Sequence, residues 1–219
     1  MTTLLKSPLA PLLARLIAEA RASEDAFAAQ RAAITSDGCD PLLHPEDYRA
    51  FYSRAKDVYL AVSPETARLL YVLARASKAH DIVEFGASFG VSTLHLAAAL
   101  KDNGGGRLIT TEFEAAKVAQ LGRNIAASGL EAYIEVRVGD ALETLAQDLP
   151  ERIDLVLLDG AKPLYPQVLS LLEPRFVTGT LIVADNADMC PQYLARVQGG
   201  GYISLPFGSD VELSMWVGS

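Results

Sequence analysis

The stretch Asp81-Ile82-Val83-Glu84-Phe85-Gly86-Ala87-Ser88-Phe89-Gly90-Val91-Ser92 decides the fold. A short apolar run, Ile82 to Phe85, passes into a glycine-spaced turn and then into a helical pattern from about Val91 to Lys101. Glycine at such a turn lets the backbone approach a ligand closely and take left-handed angles that a Cβ forbids. The same rhythm recurs downstream. Strand-like runs at Arg107–Thr111, Ile134–Val138, Ile153–Leu158 and Leu181–Ala184 alternate with helical patterns at about Glu114–Ser128, Ala141–Gln147 and Tyr165–Leu172. Gly129 closes the longest of these helices, as a C-terminal glycine commonly does. Continuous apolar strands separated by helices predict a parallel sheet covered on both faces.

The end of the chain reads differently. Tyr202–Leu205 and Val211–Val217 flank the turn Pro206-Phe207-Gly208-Ser209-Asp210, and apolar residues alternate with others along the second run. That pattern predicts an antiparallel hairpin at the sheet edge. The expected fold is therefore α/β and doubly wound: a mostly parallel, Rossmann-like, seven-stranded sheet with an antiparallel C-terminal hairpin. Upstream of Asp81 the chain reads helical. Leu12, Leu13, Leu16 and Ile17 share one helical face, Ser36–Pro41 favours a turn, and a helix is predicted from Pro45 to about Tyr59. Ser63-Pro64-Glu65 then supplies an N-cap, a first-turn proline and an early acid for a helix running through Ala74. The reading is one domain over 1–219, with a helical extension at 1–78 and an α/β core at 79–219.

Composition sets limits on function. The chain has 219 residues and a formal net charge of −8, with no Lys/Arg run, which argues against nucleic acid or an anionic membrane as partner. Its cysteines, Cys39 and Cys190, form no CxxC pair, so a disulfide framework or zinc site is not expected and a reducing, cytoplasmic compartment is. No apolar run reaches the length of a membrane span.

In an open parallel sheet, ligands bind beyond the carboxyl ends of the strands. The residues there are distinctive. The first strand ends in the E-x-G-x-x-x-G pattern of Glu84, Gly86 and Gly90, whose spacing is not the G-x-G-x-x-G of dinucleotide folds. The second ends at Glu112, a carboxylate able to accept both hydroxyl hydrogens of a ribose, or equally a solvated acid at a helix start. The third ends in Gly139-Asp140-Ala141, where Asp140 can accept an adenine amino hydrogen or simply cap a helix. The fourth ends in Asp159-Gly160-Ala161-Lys162 and the fifth in Asp185-Asn186. Neighbouring strands lie about 5 Å apart, so Asp159, Asp185 and Asn186 would converge as hard oxygen ligands for Mg²⁺ or a similar cation. Zinc is disfavoured because no His or Cys joins them. A turn ion pair between Asp159 and Lys162, and a plain strand end at Asp185-Asn186, are the alternatives. His95, His44, His80 and Trp216 read as structural.

From Ile82 to Asp140 the chain resembles the cofactor half of class I methyltransferases, and with Asp159, Lys162, Tyr165, Asp185 and Asn186 it resembles the cation-dependent O-methyltransferases of the catechol and caffeoyl-coenzyme A type. The resemblance implies S-adenosylmethionine as cofactor, wrapped by Glu84 through Ser92, with Ser92 on its carboxylate, Glu112 on the ribose, and Asp140 and Ala141 at the adenine. It further implies that Asp159 serves both cofactor and metal, that Asp185 and Asn186 complete the metal site, that Lys162 is the catalytic base, and that the protein is a homodimer. A cation there is expected to ease deprotonation of an acceptor hydroxyl and to depress the lysine's pKa. Segment 187–201 is shorter than the resemblance implies and lacks its aromatic after the Asp-Asn pair, so the acceptor is expected only to be small and hydroxylated, aromatic in the leading reading. Metal-free methyl transfer and a catalytically silent cofactor-binding protein are the competing readings.

Overall fold

The computed structural model describes residues 2–34, 52–53 and 55–218, and the side chains of these apart from 24–34. Cys39, His44, the turn at 36–41 and most of the predicted 45–59 helix lie outside the described residues. Of that helix, residues 52 and 53 are helical, while 55–57 form a turn and 59–62 run without helical bonds, so it ends earlier than expected.

Among the described residues, the long helices before the sheet are α1 (Leu9–Ile34) and α2 (Pro64–Ala76). The start of α2 is set as the sequence predicts, with Ser63 Oγ accepting from Thr66 N at 3.0 Å and Pro64 in the first turn. The core then alternates: β1 (Asp81–Phe85), α3 (Val91–Asn103), β2 (Arg107–Glu112), α4 (Ala115–Ser128), β3 (Ile134–Val138), α5 (Ala141–Thr144), β4 (Ile153–Leu158), α6 (Tyr165–Leu172), β5 (Phe176–Ala184), α7 (Pro191–Val197), β6 (Tyr202–Phe207) and β7 (Val211–Trp216). The seven strands stand in the order β3-β2-β1-β4-β5-β7-β6. The first five are parallel to their neighbours, whereas β7 runs antiparallel to both β5 and β6. The doubly wound sheet and its edge hairpin are thus as predicted. One difference is β5, which begins at Phe176 rather than Leu181: Phe176 pairs with Ile153, and exposed residues 177–179 fall in a register shift before Leu181 pairs with Leu155.

Alternation along β4 shows how the core is divided. Leu155 and Leu157 face the layer of α1, α2 and α3, while Val156 and Leu158 face α5, α6 and α7. Helix α3 is buried from Val91 to Leu100, because the sheet covers one side and the N-terminal helices the other. Leu9, Leu12, Leu13 and Leu16 of α1 sit in that same cluster, each buried leucine contributing about 1.5–3 kcal/mol. The apolar face of the first helix is therefore covered within the chain, at least as far as Ala20. Asp102 ties down the N-terminus by accepting from Thr3 N at 2.9 Å, Thr2 Oγ1 at 3.0 Å and Tyr71 Oη at 2.7 Å. Burial alone would raise its pKa, but the bond from the Thr3 hydroxyl, together with these, holds it at about 2. Among the described residues no helix is long and apolar enough to cross a membrane.

Candidate active site

Sheet order places the topological switch between β1 and β4, since β2 and β3 extend one way from β1 and β5 the other. Hydrogen bonds carry the ladder past each strand end and so align the tips. Asp159 N donates to Phe85 O at 2.8 Å, Asp185 N to Leu158 O at 2.9 Å, Ala87 N to Thr111 O at 3.0 Å and Gly139 N to Glu112 O at 3.0 Å. Tyr165 adds a staple: its hydroxyl lies 2.8 Å from both Leu158 O and Asp185 O, on the ends of β4 and β5.

A cavity of about 330 Å³ opens over these tips, walled by Gly86, Glu112, Asp140, Ala141 and Asp159 among others. That volume suits a small-molecule ligand. Gly86 is required here, because it takes φ +103° and a Cβ on it would stand 2.7 Å from Asp159 O. Gly160 is demanded by sterics alone, as its Cβ would meet the Phe85 ring at 2.4 Å.

Glu112 is held rather than solvated. Its Oε1 accepts from Phe113 N and Glu114 N, and its Oε2 from Ser88 N, each at 2.9 Å. Burial pushes its pKa up, and those amides with Lys117 oppose the rise. Asp140 lines the cavity and also caps α5, Oδ1 accepting from Leu142 N at 2.9 Å, so the two readings open at this position are compatible.

Glu84, Gly90 and Ser92 stand behind the cavity wall rather than on it. Glu84 is fully buried; its Oε2 accepts from Thr93 Oγ1 and Thr110 Oγ1, both at 2.6 Å, and its Oε1 lacks a partner. Burial drives its pKa to about 7, opposed by the hydroxyls of Ser92, Thr110 and Thr93, although no bond of ordinary geometry reaches Oε1. An acid whose folded pKa exceeds its unfolded value keeps a proton that the unfolded chain has released, so stability falls as pH rises from about 4.5 to about 7. Glu84→Gln removes that loss. Relative to wild type, the variant is expected to gain about 3 kcal/mol between pH 4 and pH 8 in urea unfolding. An equal difference at both pH values would contradict the buried-acid account.

At the other end, Lys162 Nζ lies 3.0 Å from Asp159 Oδ1, both side chains being buried. Burial favours the neutral amine, yet Tyr165, Asp159, Tyr52 and Asp185 hold the lysine pKa well above its usual value. The depression expected of this residue is tied to a nearby cation; the protein groups alone keep it charged. Asp185 is raised by burial and by Asp159 across from it. Asn186, with left-handed φ 48°, donates through Nδ2 to Asp210 Oδ2 at 2.9 Å. Asp159 and Asp185 thus adjoin as expected, with Asn186 next in chain. Among the described residues no cluster of three or more His, Cys, Asp or Glu side chains able to hold a metal forms.

Sequence reading missed four contributors. Tyr52 closes the cavity from above, its hydroxyl donating to Gly160 O at 3.2 Å and its ring set edge-on to Phe113. Asp210 arrives through the hairpin turn. Ser88 and Lys117 flank Glu112, and Lys117 could have been found: it falls on the buried stripe Lys117, Leu121, Asn124, Ile125 of α4. Of the residues read as structural, His95 is buried with Nδ1 2.7 Å from Val91 O, and Trp216 packs against Tyr202 with ring centroids 4.8 Å apart.

The family model described as "Methyltransferase domain" matches residues 83–187, the span from β1 through the Asp185-Asn186 tip. A catechol O-methyltransferase of Niastella koreensis is 36% identical over 58% of this chain and 58% of its own length. One from Mycobacterium tuberculosis is 33% identical over 66% of this chain and 61% of its own. The chain thus covers less than two thirds of either relative. The solved O-methyltransferase TomG of Streptomyces achromogenes, in complex with S-adenosylmethionine, superposes with a TM-score of 0.64 at 25% identity, over 87% of this chain and 96% of that one. Strand order, glycine turn and matched segment agree: residues 83–187 are similar to a methyltransferase domain, on the same kind of sheet as the solved O-methyltransferase.

Proposed function

We propose that the protein is an S-adenosylmethionine-dependent O-methyltransferase that methylates a hydroxyl of a small aromatic acceptor with the help of a divalent cation. One observation carries the reading: Asp159 lies on the wall of the nucleoside-sized cavity and is at the same time bonded to Lys162 and beside Asp185. Cofactor cavity, candidate base and hard oxygen donors therefore meet at one residue.

The cavity residues fit the cofactor. Gly86 leaves room where any side chain would collide, Glu112 presents an anchored acceptor for ribose hydroxyls, and Asp140 with Ala141 walls the adenine end. S-adenosylmethionine supplies the sulfonium methyl group. Lys162 Nζ, once neutral, would take the acceptor's hydroxyl proton, and the oxygen so freed would receive the methyl group while the cofactor sulfur kept the electron pair of the C–S bond. The chain's share is to orient both partners at near-attack distance. Asp159 and Asp185 fit a hard cation, two buried carboxylates being otherwise costly side by side, and the Asn186 carboxamide oxygen would be the third donor. When bound, Mg²⁺ or its like supplies Lewis-acid polarisation of the hydroxyl and offsets the carboxylates that keep Lys162 charged.

The test is turnover of a catechol with and without chelator. Activity should vanish on cation removal and return with Mg²⁺, while S-adenosylhomocysteine still binds; undiminished activity in chelator would overturn the cation's role and leave metal-free transfer. The same reading places the protein in the cytoplasm, consistent with the buried free thiol of Cys190. It also makes the protein a homodimer; exposed Ile203 and Leu205 on the outer strand are surface a second copy could cover.

A further inference from the structure

Lys117 is the buried charge that the methyl-transfer scheme leaves without a task. It sits in the first turn of α4, only 3% exposed, on the cavity wall beside Glu112. Its one hydrogen bond within the described chain is long, Nζ to Ser88 Oγ at 3.3 Å, and the Phe89 ring lies 5.5 Å from Nζ. An ammonium has three protons to donate, and a buried charge left short of acceptors is expensive. Burial accordingly lowers its pKa, with Glu112, Asp159, Glu114 and Asp57 opposing from a distance.

Ser88 locates this ammonium relative to Glu112. Its backbone N donates to Glu112 Oε2 at 2.9 Å, its hydroxyl accepts from Lys117, and the same hydroxyl donates to Tyr59 O at 2.7 Å. Acid and ammonium are thus fixed by one residue on one wall, yet no ion pair joins them among the described residues. A hydroxyl group is both donor and acceptor, so one placed between them satisfies both.

We infer that Lys117 is a cofactor-binding residue that donates to a ribose hydroxyl oxygen of the nucleoside while Glu112 accepts that hydroxyl's hydrogen. The inference rests on the cofactor assignment above. It makes ribose recognition two-sided, and it gives the buried ammonium an acceptor beyond the one long bond to Ser88 found among the described residues.

Calorimetric titration of wild type and Lys117→Met with S-adenosylhomocysteine and with 5′-methylthioadenosine tests it, the second ligand keeping the ribose and lacking the amino-acid carboxylate. Losing a charge-assisted bond should weaken both ligands by about 10- to 100-fold. A 3′- or 2′-deoxy nucleoside should bind wild type more weakly than its parent, and the penalty should be smaller in the variant, where only the Glu112 contact is left to lose. Thermal unfolding of the ligand-free variant should occur no lower than in wild type, because an apolar chain replaces a buried unpaired charge. Unchanged affinity for both ligands, or a loss confined to S-adenosylhomocysteine, would overturn the ribose assignment. Failure of wild type to bind either ligand would overturn the cofactor reading itself.

Discussion

Lys162→Met is expected to lower kcat by about 10²- to 10⁴-fold, the usual contribution of a positioned general base. Methionine keeps most of the buried stem volume and removes a group within bonding distance of Asp159 that can accept a proton once it is neutral. Cofactor affinity should change little, because Lys162 does not line the cavity while Asp159 does. The pH profile is the sharper readout. If Lys162 is the base, its loss removes the limb of the kcat profile that reports the lysine titration; an intact limb, or a drop below tenfold, would give the proton to another group. Stability has to be followed alongside. Without the ammonium, Asp159 and Asp185 face each other with less compensation, so the variant should unfold at lower temperature and recover in the presence of Mg²⁺.

Gly86→Ala should have the largest effect on the fold and on cofactor binding together. The added Cβ would stand 2.7 Å from Asp159 O and 2.8 Å from Gly160 N, both backbone atoms of the adjoining strand tip that cannot swing aside. It would also impose φ +103° on a residue with a side chain. Overpacking and backbone strain each cost about 1–3 kcal/mol, so a combined loss of about 2–6 kcal/mol is expected. A domain of this size loses roughly 2–4 °C of Tm for each kcal/mol. The movement that relieves the clash must separate the β1 and β4 tips, which also spoils the cavity. Near-normal Tm with near-normal S-adenosylhomocysteine affinity would show that the tips are not held as tightly as described.

Much of this was legible in the sequence because the signals were local. Strands β1 and β4 are short apolar runs ended by turn residues, and the alternation at Val211–Trp216 marks a hairpin without knowledge of its neighbours. Strand-end acids could be named for the same reason: in a parallel sheet the residue after each strand has only one place to go. What escaped depends on distant pairing. Asp210 reaches Asn186 because β7 inserts beside β5, with Ala184 opposite Glu212, a register no local pattern reveals. Tyr52 reaches Gly160 across 108 positions of chain. The early end of the predicted 45–59 helix belongs here too, since the segment around Tyr59 is committed to the glycine turn through Ser88 and Phe89. Lys117 is a different kind of omission. Its place on a buried helical stripe is visible in the sequence, but it belongs to no strand-end motif and is not singled out.

The whole account depends on the β1–β4 crevice being where the nucleoside sits. A crystal structure with S-adenosylhomocysteine tests this directly. It should show both ribose hydroxyls against Glu112, the adenine beside Asp140 and Ala141, and the sulfur turned towards Asp159 and Lys162. Ligand density away from the strand tips, or a ribose out of reach of Glu112, would contradict it.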